Sequence, residues 1–184
     1  FSDEFIDTMI HKGALYGWSF HYMPIGYNPD FSQVLRPKER AWLVDRVRYI
    51  RTNKLIQIVD FWNDAEVTHG CIAGGKHYFH INAAGDVEPC AFVHFAVDNI
   101  KGKSLKQVLN SPFFAAYQKR QPFSQNHLRP CPLIDVPHAL REMVIECNAV
   151  GTHEGANTIL HGETAEKLNG IAKAWEYQAD KKWE

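Results

Sequence analysis

Between two of its cysteines the chain reads Cys71-Ile72-Ala73-Gly74-Gly75-Lys76-His77-Tyr78-Phe79-His80-Ile81-Asn82-Ala83-Ala84-Gly85-Asp86-Val87-Glu88-Pro89-Cys90. Lys76 to Asn82 is rich in β-forming residues, Ala83 to Asp86 has the composition of a turn, and Val87-Glu88 leads back. A strand, a turn and a short return predict a hairpin that carries Cys71 and Cys90 towards one point. A third cysteine, Cys131, stands between Pro130 and Pro132, and all three adjoin a Gly or a Pro.

Metal binding needs several soft ligands converging from segments held by turns, because the unfolded chain has no preformed site. Cys71, Cys90 and Cys131 meet that requirement. Their separation fits no zinc ribbon or finger, which uses close Cys-x-x-Cys knuckles. It suits an iron–sulfur cluster better, since cluster thiolates can come from far apart in sequence. The same three thiols also suit a packed core, where free cysteine is common, and spacing alone leaves both readings open. Cys147 follows Met143, Val144 and Ile145 on an amphipathic helix and is expected to pack there.

Upstream, residues 1–66 alternate helix and strand. Phe5, Ile6, Met9 and Ile10 fall at helical spacing before Gly13. Tyr16 to Met23 and Leu55 to Phe61 predict two buried strands. Between them Pro37 opens a helix near 38–52, with Leu43, Val47 and Ile50 on one face. Strand, helix, strand is a βαβ unit, which belongs to a parallel sheet covered by helices. Two strands make too small a sheet, so the remaining strands are expected to precede this chain, which opens Phe1-Ser2-Asp3-Glu4 without an initiator Met.

Downstream the pattern predicts short helices at Leu105–Asn110 behind the cap Ser104, from Ser111-Pro112 to about Lys119, and from Pro137 to about Cys147. A last amphipathic helix spans Glu163 to Trp183. Trp42, Trp175 and Trp183 are expected to pack on helices. This gives three segments: 1–66, 67–150 and 151–184.

With 184 residues, 45% hydrophobic and 12% aromatic content, the chain can bury a core of its own. A net charge of -1 offers no basic field for nucleic acid, and no apolar run approaches the roughly 20 residues that span a bilayer. Four cysteines without a secretory signal point to a reducing compartment, the cytoplasm by default.

Gly70-Cys71-Ile72-Ala73-Gly74-Gly75, Tyr78 through Pro89-Cys90 with its Gly85-Asp86 turn, and Arg129-Pro130-Cys131 resemble the auxiliary-cluster region of radical S-adenosylmethionine enzymes, of the SPASM or shorter twitch type. The resemblance implies that Cys71, Cys90 and Cys131 hold an auxiliary [4Fe-4S] cluster. It also implies an α/β fold: the last βα units of a partial (β/α) barrel, followed by a small α+β hairpin-and-helix cluster domain. A complete parent would carry a second [4Fe-4S] cluster and S-adenosylmethionine on a Cys-x-x-x-Cys-x-x-Cys loop, and that loop is absent here. Three cysteines leave one iron open or completed by another group, for which Asp135, His127 and Cys147 are nearest in sequence; His94 is a candidate cluster neighbour. Tyr22, Met23, Gly26 and Asp60, at strand ends, are candidates for the cofactor and substrate cavity. The implied partners are the missing N-terminal barrel half or another copy of the chain, and a peptide or small-molecule substrate. The competing readings are a structural zinc module and a metal-free α/β interaction domain.

Overall fold

Ser2 caps the first helix by accepting from the Phe5 N–H, and α1 (Asp3–His11) ends before Gly13, whose φ of +87° suits a residue without a side chain. The chain then forms β1 (Tyr16–Ser19), crosses over through α2 (Pro37–Asn53) and returns as β2 (Gln57–Asp60). The two strands are parallel, with Tyr16 opposite Gln57 and Ser19 opposite Asp60. This is the βαβ unit expected from the sequence. The computed structural model describes residues 1–183.

Leu43, Val47 and Ile50 of α2 meet Ile6 of α1 and Ile56 and Ile58 on one side of the sheet. The other side is open. Tyr16, Trp18, Phe20 and Tyr22 alternate outward and are 40–67% exposed, and Leu55 is 86% exposed. The expectation of two fully buried strands is therefore corrected. A continuous apolar run gives no sign of which side will be covered, and here helices cover only the side of Ser19 and Ile58. Trp42 is also 55% exposed rather than packed, whereas Trp175 is buried with its indole N–H on the Leu128 carbonyl.

After β2 a short helix α3 (Ala65–Thr68) stops at His69, φ +52°, and Gly70, φ +104°. The hairpin is shorter than expected. Only β3 (His80–Ile81) and β4 (Asp86–Glu88) pair, while residues 73–77 turn back on themselves, with the His77 N–H on the Ile72 carbonyl. The Gly85-Asp86 turn is where the sequence puts it. Asn82 accepts from the Ala84 and Asp86 N–H groups, and Gly85 takes φ +91° against Asn99. β5 (Phe95–Ala96) and β6 (Asp98–Asn99) follow; β6 joins β4 to give the order β3-β4-β6.

Four helices complete the chain. Ser104 and Gln107 form a capping box for α4 (Leu105–Leu109), and Ser111 caps α5 (Pro112–Lys119) ahead of Pro112. α6 (Pro137–Glu146) leads to β7 (Val150–Gly151), which pairs with β5, and α7 (Gly162–Trp183) lies back on α2 through Trp175, Ala179, Ala41 and Val44. The largest core joins Met23 and Trp62 of the βαβ end to Phe95, Phe113, Tyr117, Leu140, Met143 and Leu168, so it is shared by all three stretches of chain. Among the described residues no helix is long and apolar enough to cross a membrane.

Candidate metal centre

Three turns bring Cys71, Cys90 and Cys131 to one cavity. The Cys71 turn is tied to the Cys90 turn by the Gly74 N–H, 2.9 Å from the Pro89 carbonyl. Gly74 has φ +68°, and a Cβ there would overlap the Tyr117 ring, so only glycine lets that ring close over the turn. Cys90 opens a tight reversal in which the Val93 N–H returns to its carbonyl at 3.0 Å. Behind it, the buried Glu88 accepts from Thr152 Oγ1, lies 3.4 Å from Asn82 Nδ2 and pairs with His80 Nδ1 at 2.7 Å. One carboxylate thereby fixes the return strand that ends in Pro89-Cys90.

Cys131 is held from the opposite direction. Its carbonyl accepts from the Asp135 and Val136 N–H groups, and its own N–H donates to Asp135 Oδ2 at 3.1 Å. Asp135 is in turn fixed by Arg40 of α2, at 2.5 Å through Nη1, and Arg40 also donates to Asn63 Oδ1 and the Leu128 carbonyl. Both members of this ion pair are buried, and removing either would strand a charge. The βαβ unit thus positions the third cysteine.

The cavity walls are Phe61, Trp62, Phe92, Tyr117 and Leu133, with free space of about 30 Å³. Two tyrosines reach the sulfurs: Tyr78 Oη donates to Cys90 Sγ at 2.6 Å, and Tyr117 Oη lies 3.6 Å from Cys71 Sγ. Burial pushes the Cys71 and Cys90 thiols up to about 11; the charge of a neighbouring cysteine adds to the shift, and hydrogen bonds from backbone N–H groups and the tyrosine hydroxyls oppose it. Cys131 rises to about 12 through burial and then the Asp135 charge. Without a cation these groups hold their protons at neutral pH, and metal loading must release them.

The donor set fits an iron–sulfur cluster better than a single ion. Among the described residues no three His, Cys, Asp or Glu side chains converge closely enough for one ion, and tetrahedral zinc would need sulfurs about 3.8 Å apart, from a Zn–S bond of about 2.3 Å. The three thiols instead line a shared space from three directions. For these three thiols to hold such a cluster, the water-sized gap would have to widen so that each sulfur could reach its own iron. Arg129 Nε, two residues before Cys131, is the one buried side-chain polar atom without a partner among the described residues.

The other sequence candidates lie elsewhere. Asp135 serves Arg40 and the Cys131 N–H, as above. His127 packs between His69 and Trp183, and Cys147 follows the last turn of α6 at the edge of the main core. His94 stacks on His153 with ring centroids 5.0 Å apart, its Nδ1 is 3.8 Å from Glu88, and burial lowers its pKa. None of these four lines the thiol cavity. Tyr22 accepts from the Asp30 N–H, Met23 packs in the main core, Gly26 lies against Gly155, and Asp60, 1% exposed and shifted upward by burial, is held by Asn63. Tyr22 and Asp60 line different cavities, and Gly26 lines none of these. Sequence reasoning missed Tyr78, Tyr117, Glu88 and Arg40. For Tyr78 the signal was its place inside the hairpin; for Arg40, 95 residues from Asp135, no spacing could show it.

No curated protein and no solved structure matches the chain. A family model does, over the stretch that contains all three cavity thiols, and its description is SPASM, an iron-sulfur cluster-binding domain. Residues 71–136 of this chain are therefore a SPASM iron–sulfur cluster-binding domain.

Proposed function

We propose that this chain is the C-terminal part of a radical S-adenosylmethionine enzyme, in which Cys71, Cys90 and Cys131 ligate an auxiliary [4Fe-4S] cluster that positions substrate or passes an electron. The observation that carries the reading is the meeting of three thiols, Cys90 buried and Cys71 and Cys131 half-buried, from three separate turns, in one aromatic-walled cavity inside the SPASM span. The cluster would supply a redox-active or Lewis-acidic iron. The chain's own residues do the rest. The Cys131 turn is fixed through Asp135 and Arg40, Phe61, Trp62 and Phe92 exclude water, and Tyr78 and Tyr117 direct hydroxyls at two sulfurs, where donation to a thiolate favours its charged form.

The parallel β1–β2 pair with one uncovered face supports a partial barrel whose further strands come from an N-terminal half or another copy of the chain. In that complete protein the barrel would bind S-adenosylmethionine and a second cluster, neither of which this chain has a Cys-x-x-x-Cys-x-x-Cys loop to hold. The substrate class we propose is a peptide or small molecule. Free thiols at all four cysteines suit a reducing, cytoplasmic setting.

The test is Mössbauer and electron paramagnetic resonance spectroscopy on anaerobically reconstituted, iron-57-labelled chain. A [4Fe-4S] pattern with one distinguishable iron supports a cluster held by three cysteines. A [2Fe-2S] pattern, or mononuclear iron alone, contradicts it.

A further inference from the structure

A cavity of about 440 Å³ lies between the end of β1, the N-terminus of α2 and one face of α7. Leu133 lines the thiol cavity whereas its neighbour Ile134 lines this one, so the two spaces are separate. Its walls are mainly apolar, with Phe31, Leu35, Ile134, Ile171 and Trp175 among them. Its charged lining is entirely cationic: Arg36 and Lys167, both exposed, and the buried Arg40.

Gly170 makes the cavity more than a packing gap. It lies in the interior of α7 and faces this space, and a Cβ built on it meets nothing within 4 Å. A glycine inside a helix costs about 1 kcal/mol relative to alanine. No backbone conformation here demands that cost and no neighbour would be struck; Gly170 is exposed at the mouth of the cavity, where a side chain would narrow the opening.

The exposed cations indicate the head group. Arg36 donates through Nε to Glu39 Oε1 at 2.9 Å, and Lys167 Nζ lies 2.6 Å from Glu163 Oε1 while resting over the Phe31 ring. Both cations already bind carboxylates, and exposed pairs of this kind are worth about 1 kcal/mol or less. A carboxylate anchored by an apolar body in the cavity would displace them readily. We propose that this cavity binds a small amphiphilic carboxylate, its chain or ring against Gly170, Ile171 and Trp175 and its carboxylate at Arg36 and Lys167. The site is independent of the cluster reading.

The experiment uses octanoate and 1-octanol as probes on the full chain, with binding followed by calorimetric titration and saturation-transfer NMR. Octanoate binds saturably and at least about tenfold more tightly than octanol, the difference expected of one charge-assisted contact. Lys167→Met combined with Arg36→Met removes that preference and leaves octanol binding unchanged. Gly170→Leu abolishes octanoate binding while the melting temperature holds or rises, which separates occupancy of the site from loss of the fold. Equal affinity for the two probes, no saturable binding of octanoate, or undiminished binding by Gly170→Leu would overturn the proposal.

Discussion

The βαβ unit and the cysteine segment are opposites in how they are finished. β1, α2 and β2 are regular, yet one face of their sheet stands open, with Trp18 and Phe20 each more than half exposed. The cysteine segment has strands of only two or three residues, yet Val87, Phe95, Phe113 and Tyr117 within it are at most 1% exposed. Regular hydrogen bonding closes ladders but does not cover faces. Turns fixed by side chains, such as Glu88 beneath the hairpin and Asp135 beneath Cys131, can build a covered site with almost no ladder at all. The two regions depend on each other: Arg40, on the regular helix, holds the irregular turn of Cys131.

That dependence can be broken first where it is strongest. Arg40→Met leaves Asp135 charged, buried and unpaired, and should cost about 3–5 kcal/mol in urea unfolding. Adding Asp135→Leu should recover much of the loss, because the pair is then replaced rather than broken. If Arg40→Met alone unfolds at the wild-type midpoint, the two regions are not joined through this pair.

Within the cysteine segment, Gly74→Ala should cost about 2–4 kcal/mol, combining a left-handed backbone with overlap on Tyr117. The same variant should load less iron, since the Tyr117 ring and the Cys71 turn must part.

The βαβ unit has its own pH signature. Burial pushes His21 down to about 3 from its ordinary 6.5. Above pH 6.5 the ring is neutral in both folded and unfolded chains, and its contribution is complete. As the pH falls below 6.5 the unfolded chain takes up a proton that the folded chain refuses, so stability drops by up to about 1.4 kcal/mol per pH unit. His21→Gln should flatten this fall between pH 6 and 4, measured by denaturant midpoints. Asp60, raised by burial, works in the opposite sense and lies 3.8 Å from His21 Nε2, so the difference between the two proteins reports on this buried pair, with the His21 loss dominating the fall above pH 4. Parallel curves for the two would mean that His21 is protonated in the fold.

The smallest effect on stability belongs to the open face. Trp18→Ser with Phe20→Ser should cost about 1 kcal/mol, because both half-exposed rings also pack on Phe61 and Phe20 on Trp62. It should still reduce self-association in sedimentation velocity, because the isolated sheet presents an apolar side. A wild-type chain that sediments as a clean monomer at all concentrations would show that this face needs no partner.

How much of this the sequence disclosed follows the same divide. Helix starts were legible from Pro37, Ser104, Ser111-Pro112 and Pro137, because caps and proline act within a few residues. The Gly85-Asp86 turn, and the approach of Cys71 and Cys90 to one point, were legible because turn chemistry is local. Which face of Tyr16–Met23 would be covered was not, since it depends on where α1 and α2 land. Nor were Tyr117 over Cys71 or Arg40 beneath Cys131, because contacts across 46 and 95 residues leave no periodic trace in the chain.

A cluster held by three thiols is tested most directly by anaerobic iron and sulfide analysis of the chain beside Cys71→Ala, Cys90→Ala and Cys131→Ala. About four irons and four sulfides per chain are expected, as in a [4Fe-4S] cluster, with loss in each variant and retention in Cys147→Ala. Stoichiometric zinc without sulfide, or iron retained when any of the three cavity thiols is removed, would contradict it.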